Sequence, residues 1–142
     1  MENRFLCRGK RIDTGKWVIG YLSYPHCMKK GNESYYFYAK DSLGFYCRCV
    51  VAASTICQCT GLKDKNGKLI WENDIVDGHI KRGAAFRSCV VLWNECKARF
   101  DIRTMDCNFP MTLDEVVDDI SIGGLDYEVL GNKFDNPELL EV

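Results

Sequence analysis

The segment TGLKDKNGKLIWENDIV, residues 60–76, contains the clearest turn and strand signals in the chain, and it is the starting point for predicting the fold. Its Asn66-Gly67 dipeptide predicts a two-residue type I′ turn, because both residues tolerate the positive φ that this turn requires. The apolar run Leu69–Trp71 follows, and after a polar interruption Ile75-Val76 resumes the apolar pattern. We therefore predict a tight hairpin and then a strand, with Trp71 in the protein core.

Outward from this segment, short runs of aromatic and β-branched residues alternate with turn signals. Such runs predict strands, and Gly, Asn and Asp mark the turns between them. Many short strands at regular spacing indicate a mainly β fold, built as a small barrel or as paired sheets. The predicted strands are Phe5–Cys7, Trp17–Leu22, Tyr35–Tyr38, Phe45–Ala52, Ser88–Trp93, Ala98–Arg103 and Leu125–Leu130, with a loop over Pro25–Ser34.

One short helix is predicted near the end of the chain. Thr112 and Glu115 match the capping box, with Thr112 at the N-cap and the glutamate three residues later. The helix would continue through Ile120 and end at Gly123-Gly124. A terminal helical turn over Pro137–Leu140 is also predicted, because proline suits the first helical position.

Composition describes an ordinary globular protein of one domain, or of two small lobes. Hydrophobic residues make up 46% of its 142 residues, and the net charge is −1, so no overall basic field attracts nucleic acid or membrane. The charge is uneven, since residues 4–16 carry five bases and one acid, and residues 114–141 carry nine acids and one base. These segments either pair, within or between subunits, or form two solvated faces, and the second interpretation is the simpler one.

The sequence also predicts a cytoplasmic location. No apolar run approaches the ~18–20 residues that span a bilayer, and the first residues lack the apolar core of a signal peptide. We therefore expect no membrane partner. Nine cysteines are many, but cytoplasmic thiols stay reduced, and an odd number cannot pair completely within one chain.

Four blocks of the sequence, in order, resemble the YopX-like proteins of phages and prophages. The blocks are RGKRIDTGKWVIGYL (8–22), STICQCTGLKDKNGKLIWENDIV (54–76), VVLWNECKARF (90–100) and YEVLGNKFDNPELLE (127–141). The resemblance implies an N-terminal β-rich part, residues 1–53, followed by an SH3-like barrel, residues 54–142, with the join near Ala53. It also implies that Thr60, Lys63 and Asp64 are polar positions that the family pattern retains.

Asn73 and Asp64 have structural interpretations. Asn73 stands where the family pattern usually has Gly, which indicates a positive φ that Asn tolerates better than other residues. Asp64 precedes the predicted turn and is placed to cap it through an Asx-type hydrogen bond. Asp74 is placed to act in the same way where the next strand begins.

Two Cys-x-Cys pairs, Cys47/Cys49 and Cys57/Cys59, are the candidate metal ligands. Residues i and i+2 of a strand share a face, so two pairs on adjacent strands would bring four thiolates together for zinc. The usual structural zinc site instead uses Cys-x-x-Cys turns, and free cysteines are commonly small buried apolar residues. We therefore predict no metal and no cofactor.

No catalytic set is evident in the sequence. His26 and His79 are the only histidines, and both fall in predicted loops without a nucleophile motif. The acid pairs Glu72/Asp74 and Asp118/Asp119 are of a kind found in any sequence. No Gly-rich loop leads into a helix with a following Lys. We therefore predict no catalytic residue and no enzyme.

A binding face is the more specific functional signal. The first predicted hairpin combines basic groups with rings, which together can hold phosphate and stack a base. The alternative is that the rings fill the core and the basic side chains face water. The candidate ligand-binding residues are Arg8, Lys10, Arg11, Trp17, Tyr21 and Lys63, with the rings of Tyr35, Tyr36 and Tyr38 nearby in sequence.

The leading functional hypothesis is a non-enzymatic phage or prophage accessory protein that binds a host factor. Its partner would be an immune component or a nucleotide signal, which makes the role one of counter-defence. The alternative is a nucleic-acid-binding module that uses the basic first hairpin. We also predict a homo-oligomer, by default a dimer, because Tyr35–Tyr38 and Leu125–Leu130 are candidate edge strands.

Overall fold

The computed structural model describes residues 5–79, 85–103, 111–112 and 126–141. These residues confirm a mainly β protein, in which helical structure is limited to 3₁₀ turns at Ala53–Thr55 and Pro137–Leu140. None of the described helices has the length or apolarity to cross a membrane. The strands are β1 (Leu6–Lys10), β2 (Trp17–Cys27), β3 (Ser34–Lys40), β4 (Tyr46–Ala52), β5 (Cys57–Lys63), β6 (Leu69–Trp71), β7 (Asp74–His79), β8 (Ala85–Asn94), β9 (Arg99–Arg103), β10 (Met111–Thr112) and β11 (Asp126–Asn132).

The chain divides into two compact units, Met1–Cys59 and Thr60–Val142. The division falls within β5, six residues beyond the join near Ala53 that the resemblance implies. The predicted helix through Ile120 lies outside the described residues. The predicted terminal turn over Pro137–Leu140 is confirmed.

The N-terminal unit is an antiparallel sheet in the order β4-β3-β2-β1-β5. Tyr21 on β2 lies opposite Tyr38 on β3, and Tyr38 lies opposite Arg48 on β4. β3 is therefore an inner strand, and the prediction that Tyr35–Tyr38 forms an edge is wrong. An isolated bridge between Arg11 and Val51 also brings the end of β1 against β4.

One face of this sheet forms the core of the N-terminal unit. Phe37 and Val51 are fully buried there, with Ala39 and Cys49 beside them. Successive side chains of a strand point to opposite faces of the sheet, so the residues that alternate with these core residues along β3 and β4 lie on the non-core face. Tyr35 packs against the core, whereas Tyr36 and Tyr38 belong to the opposite face.

β2 is longer than predicted and changes the loop assignment. It continues to Cys27, with register shifts around Pro25 where it pairs with β3. Proline cannot donate a ladder hydrogen bond, so it fits a strand at such an irregularity. His26 consequently lies on a strand, as does His79 at the end of β7, and the prediction of loops at the two histidines is wrong.

The C-terminal unit contains an antiparallel sheet in the order β10-β9-β8-β7-β11. β11 is an outer strand, which confirms an edge over Leu125–Leu130 within its described part. No pairing among the described residues joins β10 to β11, so the sheet is open and the SH3-like barrel stays a prediction.

Trp71 is buried, as predicted. The core of this unit contains Ile70, Val76, Cys89, Val91, Ile102 and Tyr127.

The turn between β5 and β6 differs from the predicted type I′ turn. Gly67 has φ +79°, but Asn66 does not have a positive φ. The Gly67 N–H donates to the Asp64 carbonyl at 3.0 Å, and the Asp64 N–H donates to the Lys68 carbonyl at 2.8 Å. This pattern is a type I turn followed by a left-handed glycine, the three-residue hairpin loop.

The turn between β6 and β7 confirms the predicted conformation of Asn73. Its φ is +68°, and its N–H donates to the Val91 carbonyl at 2.7 Å. The buried Asp74 carboxylate accepts the Trp71 N–H at 2.8 Å, which closes the turn and fixes the chain direction after β6.

Candidate ligand-binding face

Four of the predicted ligand-binding residues lie together on the non-core face of the N-terminal sheet. Lys10 is opposite Trp17, and Arg8 lies two residues away on the same face of β1. The Arg8 Cζ is 4.7 Å and the Lys10 Nζ 5.3 Å from the centre of the Trp17 ring. Tyr21 joins them from β2, opposite Leu6. Cations beside an aromatic face are stabilised by the ring quadrupole.

A groove of about 530 Å³ opens beside Trp17, and we call it the Trp17 groove. The Tyr21 and Tyr46 rings are 6.4 Å apart at an angle of 43°, and the Lys40 Nζ is 5.3 Å from the centre of the Tyr46 ring. The volume of the Trp17 groove is in the range of small-molecule sites. The side chains that line it include Leu6, Trp17, Ile19, Tyr21, Lys40 and Tyr46.

Gly20 at the base of the groove is required by close approach of the two central strands. A Cβ at this position would collide with the backbone oxygen of Tyr38 on β3. Glycine therefore permits β2 and β3 to pair here. This pairing makes Tyr21 and Tyr38 cross-strand neighbours, so that their side chains lie on the same face of the sheet.

A second cluster, the Tyr36 cluster, contains Tyr24, His26, Tyr36 and Arg48. The Tyr24 and His26 rings are each 4.9 Å from the Tyr36 ring, and the Arg48 Cζ is 4.6 Å above it. The Arg48 Nη1 donates to the Tyr24 Oη at 3.0 Å, and this hydrogen bond raises the pKa of Arg48. The same hydrogen bond orients the Arg48 guanidinium above the Tyr36 ring.

Tyr38 joins the two groups of residues into one face. It lies opposite Tyr21 on one side and opposite Arg48 on the other, and its side chain is 40% exposed. We call the whole surface the outer face. It comprises Arg8, Lys10, Trp17, Ile19, Tyr21, Tyr24, His26, Tyr36, Tyr38, Lys40, Tyr46 and Arg48.

Two predicted ligand-binding residues lie elsewhere. Arg11 is engaged by Asp13 in the β1–β2 turn, with nitrogen–oxygen distances of 2.9 and 2.7 Å, and this contact raises the pKa of the guanidinium. Lys63 belongs to the C-terminal unit. Tyr35 is a core residue, so the alternative that rings fill the core is correct for that position.

The charge of the N-terminal unit favours anionic ligands. Residues 1–59 contain nine Lys and Arg against four Asp and Glu, a net charge of +5, whereas residues 60–142 contain ten against sixteen, a net charge of −6. The carboxylates that the structure describes in the N-terminal unit are held in turns and loops. Asp13 pairs with Arg11, Glu33 accepts the Gly31 N–H, and Asp41 accepts the N–H groups of Leu43 and Phe45.

The cysteines do not form a candidate metal centre in the described part of the chain, where no group of three or more His, Cys, Asp or Glu side chains is placed to hold an ion. Cys49, Cys57 and Cys59 are buried. Burial raises the pKa of the Cys49 thiol and disfavours the thiolate that zinc would require. Absence of a metal from the protein stays a prediction.

A model of the YopX protein family matches residues 8–141, nearly the whole chain. The chain belongs to the YopX protein family. The resemblance carried by the four sequence blocks is thereby confirmed. No curated protein matches this YopX-family chain.

A solved structure shares the fold of this YopX-family protein. The crystal structure of protein EF1440 from Enterococcus faecalis is similar with a TM-score of 0.51 and 23% sequence identity. The match covers 95% of this chain and 96% of that chain. At this identity the likeness shows the fold alone.

Several residues of the outer face in this YopX-family protein were missed as site residues by sequence reasoning. Tyr46 and Arg48 fall in the predicted strand Phe45–Ala52, and Lys40 falls between two predicted strands, but none of the three was named as a site residue. The available signal was the alternation of polar or aromatic with apolar residues along β3 and β4, which separates the core face from the outer face. Tyr24 and His26 carried no such signal, because both lay in or beside a predicted loop.

Proposed function

We propose that this YopX-family protein is a non-enzymatic binding protein whose outer face holds a ligand of nucleotide type, with an aromatic base and a phosphate. The observation that carries the proposal is the mixture of exposed rings with Arg and Lys side chains on one face of β1–β4. Rings and cations on one surface are the two features that base stacking and phosphate binding require.

The rings and the cations of the Trp17 groove would serve different parts of the ligand. Tyr21 and Tyr46 expose ring surface on which a base can stack, a contact of ~1–3 kcal/mol per base. Lys40 lies beside Tyr46, where its ammonium can reach a phosphate attached to that base. The net charge of +5 on residues 1–59 supports the same class of ligand.

A purely structural role accounts for only some of these contacts. It explains Arg8 and Lys10 against Trp17, since cation–ring packing stabilises a sheet face. It does not explain why Ile19 and Tyr46 are 51% and 56% exposed beside a groove. Contiguous exposed apolar surface of this kind commonly marks a binding site.

We also propose that the ligand comes from the host. The sequence resembles phage and prophage proteins, and a phage protein that binds a nucleotide without converting it would act by sequestration. Within the proposed ligand class, a nucleotide signal of host immunity would fit this counter-defence role. A nucleic-acid-binding module is the second candidate, and it is favoured by the Tyr36 cluster, which extends the same face along β3.

The test is calorimetric titration of the protein with nucleoside 5′-mono-, di- and triphosphates and with short oligonucleotides. We expect saturable binding by at least one ligand, and chromatography of the recovered ligand should show no conversion. Tyr46→Ala should weaken binding by about tenfold, the effect of losing one stacked base. Tyr46→Phe, which keeps the ring, should retain the affinity.

Charge is tested with a matched pair of lysine variants. Lys40→Gln should weaken binding by about two- to fivefold, the range of an exposed ion pair. Lys97→Gln removes the same charge from an exposed turn of the C-terminal unit and should leave binding as it is. Failure of every ligand to bind at millimolar concentration would contradict the proposal, and conversion of the ligand would contradict its non-enzymatic part.

A further inference from the structure

We propose that the ligand of the outer face is a single-stranded oligonucleotide that contacts the Trp17 groove and the Tyr36 cluster at the same time. This inference rests on the proposed binding of base and phosphate by the outer face, and it takes up the second candidate ligand, a nucleic acid, in place of a free nucleotide. It arises from the second cluster of rings and guanidinium, which the sequence did not reveal.

The two clusters share one face but lie too far apart for one base. Lys40 and Tyr46 are opposite each other at one end of the β3–β4 pair, and Tyr36 lies four residues from Lys40 along β3. Four residues of strand span roughly 13 Å. A single base cannot cover this distance, so a ligand that uses both clusters needs at least two bases joined through phosphate.

Each cluster contains the same pair of functions. Tyr46 has Lys40 beside it, and Tyr36 has Arg48 above it, with centroid distances of 5.3 and 4.6 Å. The repeat of one ring and one cation along the sheet matches the repeat of base and phosphate along a strand of nucleic acid. Because Tyr24 holds the Arg48 guanidinium, this phosphate-binding group is already oriented.

The openness of the face favours a strand over a compact nucleotide. Sites for small molecules bury most of the ligand in a concave pocket. Here Tyr21, Tyr24, Tyr38 and Tyr46 are all between 38% and 56% exposed, and Tyr38 continues the aromatic surface between the clusters. A stack of bases along an open sheet needs no enclosing walls and tolerates any base sequence.

The experiment is a calorimetric length series of oligothymidylates from one to twelve nucleotides. We expect the affinity to rise steeply from one to about four nucleotides and then to level off, in keeping with known site sizes. Tyr36→Ala removes the ring that supports Tyr24, His26 and Arg48, so it should weaken binding of the eight-nucleotide ligand by about tenfold and reduce the gain with length. Tyr36→Phe should keep that gain, and the melting temperature of each variant checks its folding.

Arg48→Gln is the second variant, for use where Tyr36→Ala does not fold, since Arg48 is exposed on β4. It should also reduce the gain with length. Equal affinity for one and eight nucleotides would overturn the inference and leave the proposed function standing. Tighter binding of a cyclic dinucleotide than of the eight-nucleotide strand, or of duplex than of single strand, would overturn it as well. Binding of no nucleotide or oligonucleotide would overturn both proposals.

Discussion

The Asp64 side chain joins two distant parts of the C-terminal unit. Its Oδ1 accepts the N–H groups of Asn66 and Lys68, both at 2.9 Å, and its Oδ2 accepts the Val129 N–H at 3.1 Å. Burial alone would raise the pKa of this carboxyl, but the three hydrogen bonds outweigh it and hold the pKa below its ordinary value of 3.8. The charged carboxylate therefore caps the hairpin and ties it to β11.

Asp64 should make the protein sensitive to acid. Because its pKa is lower in the folded state, its contribution to stability is present above pH ~4 and is lost as the pH falls through the folded-state pKa. Asp64→Asn presents an amide N–H to the Val129 N–H, so the free energy of unfolding at pH 7 should fall by ~1–3 kcal/mol. Urea denaturation from pH 7 to pH 2.5 measures both effects. Two results would contradict this role of Asp64. One is an Asp64→Asn variant with the same urea midpoint at pH 7 as the unsubstituted protein, and the other is a variant that loses as much stability in acid as the unsubstituted protein does.

Tyr127 presents the opposite situation, a buried hydroxyl without a hydrogen-bond partner among the described residues. Burial raises the pKa of Tyr127, so the hydroxyl stays protonated. Tyr127→Phe removes a desolvated polar group, and we expect the free energy of unfolding to hold or to rise by up to ~1 kcal/mol. A loss of more than that amount in urea denaturation would show that the hydroxyl makes a stabilising contact.

At the scale of elements, Trp71 anchors the segment between the hairpin and β7. The residue is 5% exposed, and its backbone N–H donates to the buried Asp74 carboxylate. Trp71→Ala should cost about 3–5 kcal/mol in the free energy of unfolding. Trp93→Ala is the control, because Trp93 is 40% exposed on β8 and packs edge-on against Phe100, so its loss should cost less. Equal costs for the two variants would contradict a core role for Trp71.

Sequence patterns predicted strands better than they predicted which strands meet. Tyr36, Tyr38 and Arg48 were correctly placed on strands by β-rich runs, but their side-by-side arrangement depends on β3 pairing between β2 and β4. The register shift at Pro25, which brings Tyr24 and His26 to Tyr36, has no local signal that fixes its position. The prediction of a type I′ turn at Asn66-Gly67 was wrong for a different, local reason, because the hydrogen bonds that Asp64 accepts from Asn66 and Lys68 favour the three-residue loop.

At the scale of the whole molecule, charge is divided between the two units. Residues 1–59 have a net charge of +5 and residues 60–142 a net charge of −6, and opposite charges of this kind would favour association between copies. β11 is an outer strand of its sheet, and exposed strand edges promote pairing with another chain. We therefore expect a homo-oligomer, with a dimer the default because two-fold association is the commonest.

Light scattering coupled to size exclusion at micromolar concentration tests the assembly. We expect a mass of two or more chains, and an increase in salt should shift it toward the single chain because charge complementarity is screened. A single species of 16.3 kDa at all salt concentrations would contradict the prediction. The proposal for the outer face does not depend on this result.

Nuclear magnetic resonance can show residue by residue whether the outer face of β1–β4 binds base and phosphate. The ¹⁵N-labelled protein is titrated with an eight-nucleotide oligothymidylate while backbone amide shifts are followed. We expect saturable shifts concentrated at Trp17–Tyr24, Tyr36–Lys40 and Tyr46–Arg48, with residues 60–141 little affected. Shifts concentrated in the C-terminal unit, or no shifts at millimolar oligonucleotide, would contradict it.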